Sequence, residues 1–267
     1  MHVETGIAKV NNTQLYYEVT GDGPSLVLIH GFNLDTRMWD DQFATFAQHY
    51  RVVRYDSRGF GKSALPTEEA YSHADDLKAL LVYLGITQAH IVGLSMGGGI
   101  AIKFALTNPE MTTTLVVADS LLDGYETSEL DQTIGAIVEQ ASAAGGKAVN
   151  ALLLDHVIFA PALEQQLVRA RLVEMVTENS GWHWVNNDPE RAMKPPAIDR
   201  LQEIAAPTLI ILGERDMADF HAIAATLQQK VPNAHVVIIP GVGHMSNMEA
   251  PVLFNKAVLS FLQHKTH

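Results

Sequence analysis

The 267-residue chain has no cysteine, which removes disulfides, thiol nucleophiles and thiolate metal sites at once. It is also short of positive charge: 18 Lys and Arg stand against 30 Asp and Glu, a formal net charge of −12. Nucleic acid demands a basic surface to neutralise its phosphates, so no nucleic-acid partner is expected. The same balance disfavours anionic membranes and polyanionic substrates. No apolar run approaches the roughly 20 residues of a membrane span. Residues 1–10 lack the basic start and apolar stretch of a signal peptide, so a cytoplasmic protein with no membrane partner is expected. No G-x-G-x-x-G follows the first strand-like segment, and no H-E-x-x-H or close carboxylate–histidine cluster is visible. Neither a cofactor nor a metal is therefore expected. Gly59-Phe60-Gly61-Lys62-Ser63 superficially suggests a P-loop, but that motif needs a glycine where this chain has Asp56.

Apolar residues make up 47% of the chain, enough for a large core. Residues 7–10 and 14–19 read as two short strands around Asn11-Asn12, a hairpin signal. The segments SLVLI (25–29), RVVRY (51–55), HIVG (90–93) and TLVVA (114–118) are short, apolar and rich in β-branched residues. That pattern predicts strands buried on both faces of a parallel sheet. Between them, residues 71–84 place Ala74, Leu77, Leu80, Leu81 and Leu84 on one helical face. Residues 98–106 predict an apolar helix ending near Asn108-Pro109.

The alternation stops after Ser120. From residue 121 to 198 no strand signal is present, and helices are predicted near 128–144, 147–159 and 161–178. Strand character returns with TLIIL (208–212) and VVII (236–239), and an amphipathic helix over 251–263 closes the chain. The expected architecture is an α/β core over 1–120 and 199–267, with a mostly parallel sheet flanked by helices. A helical cap over 121–198 is expected to be inserted into it.

Gly93-Leu94-Ser95-Met96-Gly97 has the form G-x-S-x-G, lying after a predicted strand and before a predicted helix. A sharp strand-to-helix turn exposes the serine, and glycines on either side leave room for that turn. The helix behind it offers free N–H groups and a positive dipole end to an anion. Ser95 is therefore the candidate nucleophile. His244, in Gly241-Val242-Gly243-His244-Met245, follows the last strand and is the candidate base. Asp216, after TLIIL, is favoured as the acid because it completes the chain order Ser, Asp, His. Asp119, at the end of TLVVA, is its rival, with Asp219 and Glu214 weaker and expected to be solvated. The oxyanion donors are assigned to the backbone N–H groups of Met96 and Phe32.

His30-Gly31-Phe32, the run from Asp56 to Ser63, Gly93–Gly98, Gly213-Glu214-Arg215-Asp216 and Gly243-His244 together resemble the α/β-hydrolase superfamily. Within it, the chain looks like the branch of bacterial 3-oxoadipate enol-lactonases, small esterases and haloperoxidase-like proteins. The resemblance implies the α/β-hydrolase fold and a serine hydrolase cleaving a small ester or lactone through an acyl-enzyme. It also implies that Asp56 and Arg58 belong to a loop buttressing the oxyanion region. Haloalkane dehalogenases and epoxide hydrolases of the superfamily carry aspartate at the elbow, so Ser95 points to acyl transfer. A carbon–carbon bond hydrolase and a low-turnover ligand receptor remain the alternatives. The partner is a small-molecule substrate, and the oligomeric state stays open. Trp182 and Trp184, in Gly181-Trp182-His183-Trp184, are expected either to wall the substrate pocket or to pack the cap onto the sheet. Arg169 and Arg171 are expected to be solvated rather than to bind a substrate carboxylate.

Overall fold

The computed structural model describes residues 2–264. Eight strands form one sheet in the order β1-β2-β4-β3-β5-β6-β7-β8. They are β1 (Val3–Val10), β2 (Thr13–Thr20), β3 (Ser25–Ile29), β4 (Arg51–Tyr55), β5 (Ala89–Leu94), β6 (Thr112–Ala118), β7 (Thr208–Gly213) and β8 (His235–Ile239). β2 pairs antiparallel with both β1 and β4, and every pairing from β4 to β8 is parallel. The hairpin turn is Asn11-Asn12, both at positive φ (45° and 55°). Asparagine tolerates that region, and two such residues in succession match the right-handed strand twist.

The strand alternation sorts the core into two layers. Val27, Ile29, Val53, Ile91 and Val117 face one side. There they meet α2 (His73–Tyr83), α3 (Met96–Thr107) and α9 (Ala218–Lys230). Leu26, Leu28, Val52, Val92 and Val116 face the other, against α1 (Asp40–Phe46) and α11 (Pro251–His264). Burial on both faces explains why these strands read as continuous apolar runs. Ala74, Leu77, Leu80 and Leu81 form the buried face of α2, and Leu84 is half-buried just past its end.

Between β6 and β7 the chain forms α4 (Ser128–Ala141), α5 (Gly146–Leu153), α6 (Ala160–Leu163), α7 (Gln166–Glu178) and α8 (Trp182–Val185). Two predicted helices are in fact broken. The stretch 147–159 stops at Leu153, and His156 then accepts the Ile158 N–H at 3.1 Å to start a separate 3₁₀ turn. Residues 161–178 split after Leu163, and α7 restarts at Gln166. Arg37, in the loop after β3, ties this helical segment to the sheet. It pairs with Asp35 at 2.7 Å, Glu174 at 2.9 Å and Glu178 at 2.8 Å. Among the described residues, no single helix is long and apolar enough to cross a membrane.

Candidate active site

Phe32, Ser95, Asp119, Asp216 and His244 all follow the C-terminal ends of parallel strands β3, β5, β6, β7 and β8. In an open α/β sheet that edge, beside the reversal of strand order around β3, is where ligands bind. Ser95 sits at φ 56°, ψ −117°, between β5 and α3. Its own N–H donates to Ala118 O at 2.9 Å, and its carbonyl accepts from Gly99 at 3.1 Å and Leu121 at 3.1 Å. A Cβ on Gly93 would meet Gly97 O at 2.0 Å, and one on Gly97 would meet Ile29 O at 2.2 Å. No side chain fits at either position, so the two glycines are what allow the strained serine turn.

His244 Nδ1 lies 3.0 Å from Asp216 Oδ2 and 3.2 Å from Oδ1. A carboxylate accepts there, so in the neutral imidazole the Nδ1 side carries the proton and Nε2 keeps its lone pair. The side chain of Asp216 is buried and also accepts the Met217 N–H at 2.8 Å. The ring of Phe220, from α9, packs against the imidazole at 4.2 Å between centroids. Glu249, from the short helix α10 (Ser246–Glu249), accepts N–H groups on both sides of His244. These are Gly243 N at 2.8 Å and Met245 N at 3.0 Å. His244 is thus held through its ring by Asp216 and through its backbone by Glu249.

Asp119 is buried nearby but contacts a different set of groups. One oxygen accepts the Gly213 N–H at 2.7 Å, and the other takes a short hydrogen bond from the Ser246 hydroxyl. Burial, and then the charge of Asp216, push its carboxyl well above the usual aspartate range. Of the two weaker rivals, Glu214 is exposed as expected and Asp219 is half-buried, and each makes one hydrogen bond to backbone. Asp219 accepts the Leu130 N–H, in the first turn of α4, at 2.9 Å, and Glu214 accepts the Gly241 N–H at 2.8 Å.

Among the described residues, the N–H groups of Phe32 and Met96 donate to no protein acceptor. The loop carrying Phe32 is braced from below. His30 Nε2 accepts the Ser57 N–H at 2.9 Å, so its proton lies on Nδ1 and goes to Gly31 O at 2.8 Å. Asp56 accepts the N–H groups of Thr36 and Lys62, both at 2.8 Å, which fits the expected buttress. Arg58 does something else. It forms a buried pair with Asp76 on α2 at 2.7 Å and donates to Asn11 O at 2.8 Å, holding the hairpin turn instead.

Above Ser95 and His244 lies a cavity of about 220 Å³. Its wall includes Phe32, Leu34, Leu130, Ile134, Phe159 and Trp184. Trp184 donates its indole N–H to Asn150 at 2.7 Å and meets Phe32 edge-on at 4.9 Å. Trp182 does not line this cavity, and the expectation that it shares the wall is corrected. It borders a separate cleft with Pro66, Thr67 and Glu68. The Gly181–Trp184 segment starts a turn of helix, so the side chains of residues 182 and 184 point different ways. His183, between them, stacks flat on Phe60 at 4.3 Å and lies over Gly59. A Cβ on Gly59 would meet its ring at 2.3 Å. Arg169 is exposed and Arg171 pairs with Asp41 at 2.6 Å, and neither borders the cavity. Among the described residues, no group of three or more His, Asp or Glu is gathered as a metal ion would require.

Sequence reasoning missed Phe220, Glu249 and the apolar lining from α4 and α5. Nothing marks these residues in the sequence, because each is an ordinary helical residue until folding brings it over the strand ends.

Residues 24–251 match the family model described as alpha/beta hydrolase fold. The chain belongs to the α/β hydrolase fold family. It is 30% identical to a 2-hydroxy-6-oxononadienedioate/2-hydroxy-6-oxononatrienedioate hydrolase of Pseudomonas putida, over 94% of this chain and 92% of that protein. It is 28% identical to the carboxylesterase YbfK of Bacillus subtilis, over 90% of this chain and 81% of that one. Among solved structures, the enol-lactonase of Burkholderia xenovorans LB400 superposes with a TM-score of 0.82 at 25% identity, covering 97% of this chain and all of that one. This α/β hydrolase is thus similar to a carboxylesterase, an enol-lactonase and a hydrolase of 2-hydroxy-6-oxononadienedioate.

Proposed function

We propose that this α/β hydrolase is a serine hydrolase cleaving a small ester or lactone through an acyl-enzyme on Ser95. The observation that carries the reading is the convergence of Ser95 and the Asp216-bound His244 on one cavity, beside two backbone N–H groups without acceptors. His244 Nε2 takes the hydroxyl proton as Ser95 Oγ attacks the carbonyl carbon. The carbonyl oxygen becomes an oxyanion held by the N–H groups of Phe32 and Met96. The intermediate collapses, the bond to the leaving oxygen breaks, and the His244 proton goes to that oxygen. Water, deprotonated by the same imidazole, then releases the acid from Ser95. Residues 121–198 act as the cap that shapes the substrate range.

The second reading is carbon–carbon bond hydrolysis, favoured by the relative from Pseudomonas putida. The test is labelling with a fluorophosphonate, followed by peptide mapping and a panel of p-nitrophenyl esters, lactones and β-diketones. The reading requires the phosphonate on Ser95 and turnover of an ester or lactone. Modification elsewhere, or none, overturns it. Labelling at Ser95 with turnover of the diketones alone assigns the second reading. Stoichiometric labelling with no turnover of any compound assigns a receptor.

A further inference from the structure

The charges around the cavity narrow the substrate class of the proposed serine site, and the argument rests on that reading. Apart from His244, the one ionisable residue on the cavity wall is Asp131, among the described residues. It lies in the first turn of α4, exposed at the mouth, and no cation pairs with it. The rest of the lining is aromatic and aliphatic side chains around Gly31 and Ser95, with no Lys or Arg. The adjoining cleft shares Leu121 and Asp131 with the cavity and contains one cation, Lys103. That ammonium is already shared between Asp123 at 3.5 Å and Glu190 at 3.4 Å. Arg171 pairs with Asp41 and Arg215 with Glu164, and neither lines the cavity.

A substrate carboxylate entering this space would lose its water, find no counter-charge and pass an unpaired Asp131. Burying an unpaired charge in apolar surroundings is among the costliest events in a protein. We infer that the cavity selects uncharged substrates with a short hydrocarbon acyl group and rejects acyl groups ending in a carboxylate, with Asp131 reinforcing the rejection at the entrance. The cavity, about 220 Å³, lies below the usual range for drug-sized ligands and sets the chain length as short. This separates the chain from its Pseudomonas putida relative, whose name specifies a dioate, a dicarboxylate.

The test compares p-nitrophenyl pentanoate with p-nitrophenyl hemiglutarate, which differ by a terminal methyl against a carboxylate on the same five-carbon chain. Fluorophosphonate labelling of Ser95 is measured in parallel. The expected kcat/KM ratio favours the pentanoate by about 100-fold or more. Asp131→Asn should narrow that ratio by about threefold, the modest effect of an exposed charge, and Asp131→Lys should narrow it further. Added salt should narrow the ratio more for the wild type than for Asp131→Asn. A protein labelled at Ser95 that hydrolyses the hemiglutarate within tenfold of the pentanoate overturns the inference and leaves the serine mechanism standing. A large ratio that neither Asp131 variant moves overturns the role of Asp131. A protein not labelled at Ser95 overturns the mechanism, and the inference with it.

Discussion

Asp216 Oδ2 lies 3.0 Å from Nδ1 of His244, across 28 residues of sequence and out of reach of solvent. Asp119, equally buried, is turned instead toward Gly213 and Ser246. One carboxylate meets the imidazole, and the other secures the end of β7 to the start of α10.

Replacing Ser95 with alanine is expected to abolish hydrolysis while leaving the fold intact, because only Oγ is lost and the strained turn depends on the neighbouring glycines. Loss of a triad nucleophile costs on the order of 10⁴ or more in rate. The check is ester turnover beside a thermal melt. Residual activity above a few per cent in a clean preparation would show that Ser95 is not the nucleophile.

Asp216→Asn is expected to lower kcat by about 10³ to 10⁴, since an amide no longer fixes the imidazole tautomer or stabilises its charged form. Asp119→Asn is expected to cost tenfold or less, because Asn keeps an acceptor for the Gly213 N–H. Steady-state kinetics on one ester decides between them. If Asp119→Asn is the more damaging, the acid is misassigned.

The stability of the protein should carry a signature of Asp119 in its pH dependence. In the unfolded chain this carboxyl titrates near its ordinary value of 3.8, whereas burial and the Asp216 charge raise it well above that in the native state. Between those two values the native state binds more protons than the unfolded state. The contribution of Asp119 is therefore fully present below 3.8 and is lost as pH rises through the raised native value. Asp119→Asn has no proton to lose. The Tm of the variant minus that of the wild type is expected to become more positive as pH rises from about 4 through the raised native value. A constant difference over that window would mean that Asp119 is ionised at no extra cost.

Trp184→Ala is expected to shift the preferred acyl length, because it removes a wall of the cavity and leaves Asn150 without its indole partner. Trp182→Ala is expected to keep the wild-type order of preference. A graded p-nitrophenyl ester series on both variants tests this. A shift caused by Trp182→Ala and not by Trp184→Ala would refute the assignment.

Loosening the backbone around His244 should be felt in turnover before it is felt in binding. Glu249→Gln retains one acceptor for the Gly243 and Met245 N–H groups, and Glu249→Ala retains none. The alanine variant is expected to lower kcat by about tenfold with KM little changed, and the glutamine variant to recover part of the loss. Equal activity of both variants and the wild type would assign Glu249 no part in holding the histidine loop.

The central strands were legible from sequence because each is a short apolar run buried on both faces, as β3 and β4 show. The hairpin was legible in Asn11-Asn12, and the elbow in a glycine pattern that the close approaches of Gly93 and Gly97 explain. Ser95 and His244 stood out because each follows a strand in a glycine-bearing loop. Other features depend on positions remote in sequence and carry no local mark. Whether Asp119 or Asp216 meets His244 is decided by the geometry of the strand ends, which chain order alone does not specify. Trp182 and Trp184 have the same chemistry, and only the helical turn at Gly181 sends one to the cavity and the other away. The charge of the cavity is likewise a tertiary property. Arg171, Lys103 and Arg215 are each taken up by carboxylates from other elements, and Asp131 is left alone at the entrance. Sequence periodicity reports which face of an element is buried, but the partner a side chain meets there depends on how separate elements pack together.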